Sequence, residues 1–596
     1  MAQEIKKRAD QPVETTWKLE DIYENHDQWE ADFQKLKDMI PELARYDGKI
    51  TSVDMFLEYM EKNLQAHHLC EYLFVYSRMR KDEDNANGTY QAMNDRARGI
   101  MVELSAATSF FLPQLARISD ATLRAWADVP GLEDYRHYIG QVIREKAHVL
   151  SEAEEKLLAM AQEALHAPSS AFSMLNDADM RFPAVELEGE QIEITHANYG
   201  LLMENANRAL REDTYGKLYD TYRGFANTLS ALYSSNVKTG VFKAKARGFA
   251  SAREAALFGK NIPVHVYDTL IHTVHESLPV MGEYLSLKKQ LLGVEEMHMY
   301  DVYAHLITDA DTRMDIPQAR ELILEALAPL GGDYRKLLER AFDERWMDYY
   351  ENRGKTSGAY SWGVYGVHPY VLLNYQGTLD HVFTIAHELG HALHSYYSDQ
   401  HNSYLNAGYE IFVAEVASTV NEVLLTKYIL NTTQDERLKK FLLNKHLEQF
   451  RTTVFRQTMF AEFEMLAHDM AQNGEPLTVD VLCSVYAKLN AQYYPGVVQD
   501  EHISFEWARI PHFYRAFYVY QYATGFSAAV AIAQSILEAK DEQPLNDYLA
   551  FLKSGGRDYP IELLKIAGVD MTTPAPVQDS MKAFEGALQE FRTLML

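Results

Sequence analysis

Hydrophobic residues recur every three or four positions along most of the chain, the spacing that gathers them on one face of an α-helix. The pattern is clearest from Met55 to Met79. Ser151 and Ser251 each stand three residues before a glutamate and ahead of an apolar run, which is the capping-box pattern of a helix N-terminus. The sequence therefore predicts a mainly α fold.

Two segments break the helical period. In residues 182–195, apolar residues alternate with acidic ones around 188–190 (EGE), a pattern that predicts a short β-hairpin. Glycines then punctuate the aromatic-rich residues 354–366, and residues 368–376 (HPYVLLNYQ) have the composition of a strand. Thr378 follows at the N-cap position of the next helix. We therefore expect a small β element directly ahead of that helix.

This helix contains an HExxH motif at residues 387–391 (HELGH). Four residues are just over one helical turn, so His387 and His391 project from the same face and can hold one metal ion. Glu388 lies beside that face, where it can take a proton from a metal-bound water without being a ligand. The motif arises by chance in roughly one such chain in fifteen, so the metal hypothesis depends on a third ligand.

Three downstream glutamates are candidates for that ligand. Glu410, Glu415 and Glu422 stand 19, 24 and 31 residues past His391. Glu415 is flanked by valines and alanines, and a carboxylate in such surroundings is costly unless it is paired or metal-bound. Glu410 has a spacing near that of thermolysin-like enzymes and stays open as an alternative. Glu422 lies two turns after Glu415 on the same face, where it can orient a ligand histidine.

The motif and its surroundings resemble the M3 family of zinc oligopeptidases, which includes thimet oligopeptidase, and within it the oligoendopeptidase F branch. The resemblance is strongest over about residues 205 to 590, while the first 200 residues match as a helical lobe. Besides the HExxH motif, the segments that carry it are 412–419 (FVAEVAST) with 421–422 (NE), 357–360 (SGAY), 366–370 (GVHPY), 510–514 (IPHFY) and 518–525 (YVYQYATG).

The resemblance implies a fold and a metal site. It implies a two-lobed helical zincin with a deep central channel and a small β element beside the HExxH helix. Residues 1–200 would form an N-terminal helical lobe with the hairpin, and residues 201–596 the zinc metallopeptidase domain. One zinc ion per chain would be held by His387, His391 and Glu415.

The resemblance also implies residues that act on the substrate. The aromatic run 513–522 follows His512, and a histidine N–H or a tyrosine hydroxyl can donate to the oxyanion of amide hydrolysis. The candidates are Tyr514, Tyr518 and Tyr522, which we expect on one helical face, while Tyr520 points elsewhere. Aromatic stripes at helical spacing are also typical of core, so the choice among these four tyrosines stays open. For substrate binding we expect residues on the loop and strand ahead of the zinc helix: Gly358, Tyr360, His368 and Tyr370.

Composition and charge exclude several classes of function. The 596 residues include 57 Lys and Arg against 85 Asp and Glu, a formal net charge of −28, which argues against nucleic acid as a partner. Cys70 and Cys483 are too few and too far apart for a disulfide framework or a CxxC metal site. The N-terminus lacks a signal-like apolar run, and the longest weakly polar run, Phe526 to Leu537, is too short to cross a bilayer. We expect a cytoplasmic protein without a membrane partner, of undetermined oligomeric state.

The sequence therefore predicts a zinc-dependent endopeptidase that hydrolyses short unfolded oligopeptides, with Glu388 as the general base on a zinc-bound water. An extended peptide would pair with strand 368–376 by β-addition. Two alternatives are a peptide-binding protein that keeps the zinc scaffold without useful catalysis, and a carboxypeptidase that trims dipeptides on the same kind of fold.

Overall fold

Helices account for most of the chain in the computed structural model, which describes residues 5–307 and 313–596. In chain order they are α1 (His26–Ala44), α2 (Val53–Glu83), α3 (Gly88–Thr108), α4 (Phe111–Arg117), α5 (Asp120–Ala127), α6 (Arg136–Glu145), α7 (Glu152–Ser173), α8 (Tyr199–Glu204), α9 (Arg208–Gly224), α10 (Ala226–Ala246), α11 (Ala252–Phe258), α12 (Val264–Glu276), α13 (Leu278–Leu292), α14 (Met299–Val302), α15 (Ile316–Ala326), α16 (Gly331–Asp343), α17 (Leu379–His401), α18 (Tyr404–Ala407), α19 (Ile411–Thr432), α20 (Glu436–Phe450), α21 (Arg456–Gln472), α22 (Val479–Tyr493), α23 (Tyr520–Glu538), α24 (Gln543–Leu552), α25 (Pro560–Ile566) and α26 (Ala575–Met595). The predicted mainly α fold is confirmed.

The described residues divide into two compact units. The first joins residues 5–147, 313–429 and 532–568, and the second joins 148–307, 430–531 and 569–596. Each unit is therefore assembled from three separate stretches of chain. The division at residue 200 expected from the sequence is not the boundary of either unit, and it stays a prediction about domains.

Two of the helices begin at side-chain caps that the sequence contains. Ser52 accepts a hydrogen bond from the Met55 backbone N–H at the start of α2, and Ser151 forms a complete capping box with Glu154 at the start of α7. The apolar face of α2 is buried in the core of the first unit, where it packs against α1 and α3. The apolar periodicity between Met55 and Met79 thus predicts correctly a helix with one face in the core.

The predicted hairpin is present in the second unit. Its strands are β1 (Ala184–Leu187) and β2 (Glu190–Glu193), paired antiparallel with Val185 opposite Ile192. Glu188 and Gly189 connect them with φ angles of 53° and 86°. Both central residues of a type I′ turn need positive φ, which explains the glycine at its second position.

The second β element lies in the first unit and leads into α17. Its strands are β3 (Met347–Asp348), β4 (Tyr360–Trp362) and β5 (Tyr370–Leu372), in the order β3-β5-β4. β5 is parallel to β3 and antiparallel to β4, and β4 and β5 both contact α17. Residues 370–372 are therefore the central strand. The expectation that strand 368–376 accepts a peptide by β-addition is wrong, because neighbours already occupy both of its edges.

One stretch of the described chain, Gly88–Arg117, is long and apolar enough to cross a membrane by length and composition alone. Helices in the core of a soluble protein can have the same length and composition. Here the stretch is split between α3 and α4, and its residues Met93, Ala97 and Leu104 are buried in the core of the first unit.

Candidate metal centre

The HExxH helix begins as its sequence predicts. The Thr378 hydroxyl accepts a hydrogen bond from the His381 backbone N–H, and α17 starts at Leu379. His387 and His391 lie one turn apart on this helix, with ring centroids 4.8 Å apart and ring planes at 84°. Helical spacing therefore brings the two imidazoles to a common point.

Helix α19 contributes the carboxylate. Among the residues that the structure describes, His387, His391 and Glu415 form the group whose side chains could hold a metal ion, with ligand atoms all within 4.8 Å of one another. Glu415 Oε2 is 3.6 Å from His387 Nε2 and 3.6 Å from His391 Nε2. Tetrahedral zinc with bonds of about 2.0–2.2 Å separates neighbouring ligand atoms by about 3.3–3.6 Å. The donor set and its spacing fit zinc.

Both histidines face residues of α19. The Glu422 carboxylate accepts a hydrogen bond from His387 Nδ1, which leaves Nε2 facing Glu415. The backbone of Ala414 lies near the His391 ring. Burial opposes charging His387, but the Glu422 hydrogen bond and charge raise its pKa to about 9. Burial, helped by the charge of His387, lowers the pKa of His391 to about 3. Both rings thus present Nε2 to the Glu415 carboxylate.

Glu388 lies beside the metal group and is buried, with 7% of its surface exposed. Its burial is the main reason that its pKa rises to about 7, and the positive charge of His387 partly offsets this rise. A carboxyl group with a pKa near neutrality can accept and return a proton at physiological pH.

Glu410, the alternative third ligand, lies outside this group. It precedes the start of α19 and is exposed, and its backbone carbonyl accepts the N–H groups of Val413 and Ala414. The geometry therefore favours Glu415 as the third ligand.

In the second unit, His512 forms a cluster with two tyrosines. His512 Nε2 is 3.3 Å from the Tyr522 hydroxyl, and the rings of His512 and Tyr518 are nearly parallel with centroids 6.1 Å apart. Tyr518 and Tyr522 meet edge to face at 5.4 Å. The Arg515 guanidinium lies 4.0 Å from the centroid of the Tyr518 ring. The pKa of His512 is lowered by burial, Arg456 and Arg515, which favours the neutral ring.

Tyr514 does not join this cluster. It ends a short 3₁₀-helix, Pro511–Tyr514, and stacks on Phe172 with centroids 4.1 Å apart. The expected helical face shared by Tyr514, Tyr518 and Tyr522 is wrong, because the chain turns at Phe517 with φ 54° and α23 begins only at Tyr520. Tyr520 points elsewhere, as predicted: it is buried against Tyr267.

The four residues expected to bind substrate lie in two kinds of surroundings. Tyr370 is fully buried in β5, and its hydroxyl donates to the Lys18 carbonyl. His368 stacks on Trp346 at 5.1 Å and is 3.2 Å from Asp21. Both side chains are held by contacts within the first unit, and their part in substrate binding stays a prediction. Two others lie nearer the open edge of the sheet: Gly358, which is exposed with φ 82°, and Tyr360, whose hydroxyl donates to Asp82.

The sequence contains no signal for the approach of the Ser361 backbone to Glu388. A backbone N–H has no side-chain signature, and Glu388 is 27 residues away in the sequence. Segment 357–360 directly precedes Ser361, but the approach depends on how β4 lies against α17.

Two family models match the chain. Residues 201–583 match the model described as peptidase family M3, and residues 114–182 match the one described as oligopeptidase F.

Individual proteins match over nearly the whole chain. Oligopeptidase PepF of Bacillus subtilis (strain 168) is 43% identical over 600 residues, covering 100% of this chain and 89% of that protein. The crystal structure of a peptidase from Chlamydophila abortus is similar with a TM-score of 0.95 and 36% identity, covering 99% of this chain and 100% of the other. Oligoendopeptidase-F from Enterococcus faecium is similar with a TM-score of 0.74 and 39% identity, covering 96% and 99%.

Proposed function

Because the chain belongs to peptidase family M3, a family of metalloendopeptidases, we propose that it is a zinc-dependent endopeptidase that cleaves internal bonds of short unfolded oligopeptides. The observation that carries this proposal is the convergence of His387, His391 and Glu415 beside the buried Glu388. Two imidazoles and one carboxylate, with a position left open, are the donor set of catalytic zinc.

The residues divide the chemistry among them. His387, His391 and Glu415 would hold the metal, and Glu422 would keep the His387 ring in the tautomer that presents Nε2. A bound zinc ion supplies Lewis acidity, which polarises the scissile carbonyl and lowers the pKa of water. Glu388 would accept a proton from the attacking water and return it to the leaving amine.

We further propose that an extended peptide pairs with the open edge of β4 and not with β5. The Val371 N–H donates to the Trp346 carbonyl and so faces β3. Ser361 stands opposite Val371 in the β4–β5 register. When the backbone groups of one residue in an antiparallel pair face away from the partner strand, those of the residue opposite it face outward as well. The Ser361 backbone therefore lies on the outer edge, next to Glu388, where β-addition would bring a peptide bond.

Oxyanion stabilisation is the third part of the proposal, and it is assigned to His512, Tyr518 and Tyr522. The resemblance to the M3 family supports it, together with the cluster that these three side chains form. Tyrosine hydroxyls and a neutral histidine can each donate to a developing negative charge. Tyr514, stacked on Phe172, is left out of this assignment.

An internally quenched peptide with blocked ends tests the proposal. We expect cleavage between internal residues, loss of activity with a chelator, and recovery on adding zinc. Binding of the peptide without turnover would favour a peptide-binding protein. Release of dipeptides, and only from peptides with a free C-terminus, would favour a carboxypeptidase. Activity that survives complete removal of metal would overturn the zinc assignment. A cytoplasmic location remains a prediction, to be checked by cell fractionation.

A further inference from the structure

Asn421 is a fully buried amide within the apolar helix α19. Both ends of its side chain are hydrogen-bonded. Its Nδ2 donates to the Ala386 carbonyl at 2.9 Å, and its Oδ1 accepts from the Tyr334 hydroxyl at 3.0 Å. A buried amide is tolerated when its partners satisfy it in this way. The pair of bonds links three helices, α16, α17 and α19.

The position of these bonds relates them to the metal group. Ala386 directly precedes His387 on α17, and Asn421 directly precedes Glu422 on α19. The Asn421–Ala386 bond thus lies one residue away, on both helices, from the contact between His387 and Glu422. It fixes how far α17 is advanced along α19 at the point where ligand and partner meet.

Tyr334 determines which way the Asn421 amide faces. Its side chain is buried with 1% exposed, and its hydroxyl donates to Asn421 Oδ1. The amide is therefore held with Nδ2 toward α17. A carbonyl oxygen has two lone pairs, so the Ala386 carbonyl can accept from Asn421 while it keeps its place in the hydrogen-bond ladder of α17.

We propose that Asn421 is a positioning residue for the metal group: with Tyr334 behind it, it sets the register of α17 against α19 so that the histidines of one helix meet the carboxylates of the other. This inference rests on the zinc peptidase function proposed above. Removal of a group that is hydrogen-bonded to a metal ligand typically changes metal affinity by about 10–100-fold, and Asn421 acts through the backbone of the residue before such a ligand.

The test compares zinc affinity with fold stability in the full chain. Asn421→Leu keeps the approximate volume and removes both hydrogen bonds, while Tyr334→Phe removes a single oxygen atom. Asn94→Leu is the matched control, because Asn94 is a fully buried helical amide of the same unit that donates to Ser77 Oγ at 3.3 Å. Zinc dissociation constants are measured by competition with a chromophoric chelator, and melting temperatures are recorded beside them.

We expect Asn421→Leu to weaken zinc binding by about 10–100-fold and Tyr334→Phe by about 3–10-fold. Asn94→Leu should lower the melting temperature yet leave zinc affinity within about twofold. The proposal is overturned if Asn421→Leu destabilises the fold but binds zinc like the unmodified chain, or if Asn94→Leu weakens zinc equally. Should Asn421→Leu not fold, Tyr334→Phe decides, since unchanged affinity in that variant contradicts the proposal.

The same measurement separates this inference from the proposed function. An unmodified chain that binds zinc but does not hydrolyse peptides would contradict the function and leave the positioning role to be judged by affinity. An unmodified chain that binds no zinc would end both. Equal zinc affinity in all variants of an active enzyme would end the positioning role alone.

Discussion

A Cβ atom placed on Gly390 would stand 2.5 Å from the Cα of Ser418, so α17 and α19 cross with no room for a side chain at this point. The Ala417 carbonyl oxygen would be equally obstructive at 2.8 Å. Both obstacles are backbone atoms, which cannot rotate away as a side chain can. Gly390 directly precedes His391, and Ser418 is three residues after Glu415. The close approach of the helices therefore controls the distance between these two ligands.

Gly390→Ala should push the helices apart and weaken zinc binding. We expect at least a tenfold loss of zinc affinity, and a loss of stability of about 1–3 kcal/mol from overpacking. Gly99→Ala is the control, because Gly99 lies in α3 of the same unit with nothing within 4 Å of an added Cβ. Alanine there should stabilise the helix by up to about 1 kcal/mol. Chelator competition and thermal melts check both changes, and normal zinc affinity in Gly390→Ala would contradict the account.

Glu415→Ala should abolish stoichiometric zinc, whereas Glu410→Ala should retain one zinc per chain. Glu415 is 3.6 Å from both histidine nitrogens, while Glu410 is exposed and lies before α19. Metal content of the dialysed proteins, measured by elemental analysis, distinguishes the two. A reversed result would make Glu410 the ligand.

Substitutions in the cluster of His512, Tyr518 and Tyr522 should affect turnover more than substrate binding. We expect Tyr518→Phe and Tyr522→Phe each to lower kcat by tenfold or more, with KM within about threefold, because an oxyanion donor acts in the transition state. Tyr514→Phe should change kcat by less than threefold, since Tyr514 stacks on Phe172 outside the cluster. Steady-state kinetics on one quenched peptide compares all three. Unchanged kcat in both Tyr518→Phe and Tyr522→Phe would remove the tyrosines from the mechanism.

Acid should destabilise the fold through Glu506, which is buried in the second unit. Burial alone would raise its pKa, but Arg456 and Arg509 together with the Tyr486 hydrogen bond lower it to about 2. Its contribution is therefore present above the unfolded pKa of about 4.3 and is lost as pH falls toward 2. Between pH 7 and pH 3 we expect Glu506→Gln to lose about 2 kcal/mol less unfolding free energy than the unmodified chain. Urea unfolding at the two pH values measures this difference, and equal losses would contradict it.

Features that depend on neighbouring residues could be predicted from the sequence. The Thr378 cap, the HExxH face and the hairpin at Glu188 and Gly189 all arise from contacts within a few positions. The apolar neighbours of Glu415 also favoured it over Glu410, although the side chain of Glu415 is 40% exposed and not buried among them.

Features that depend on contacts between distant residues could not be predicted from the sequence. The central position of β5 requires β3, a two-residue strand with no sequence signature of its own. The turn that separates Tyr514 from Tyr518 requires Phe517 in a left-handed conformation, and its N–H donates to the buried Glu464 carboxyl at 2.7 Å. A β-propensity or helical period cannot anticipate a hydrogen bond that spans 53 residues.

In the proposed mechanism Glu388 moves the proton while other residues hold the metal. Glu388→Gln separates these two roles, because glutamine keeps the shape of the side chain and cannot act as a base. Zinc content, melting temperature and peptide turnover are measured on the same sample. We expect one zinc per chain, a near-normal melting temperature and turnover reduced at least a thousandfold, within the range that a proton-transfer residue contributes. Turnover within tenfold of the unmodified enzyme, with zinc bound, would show that Glu388 is not the base.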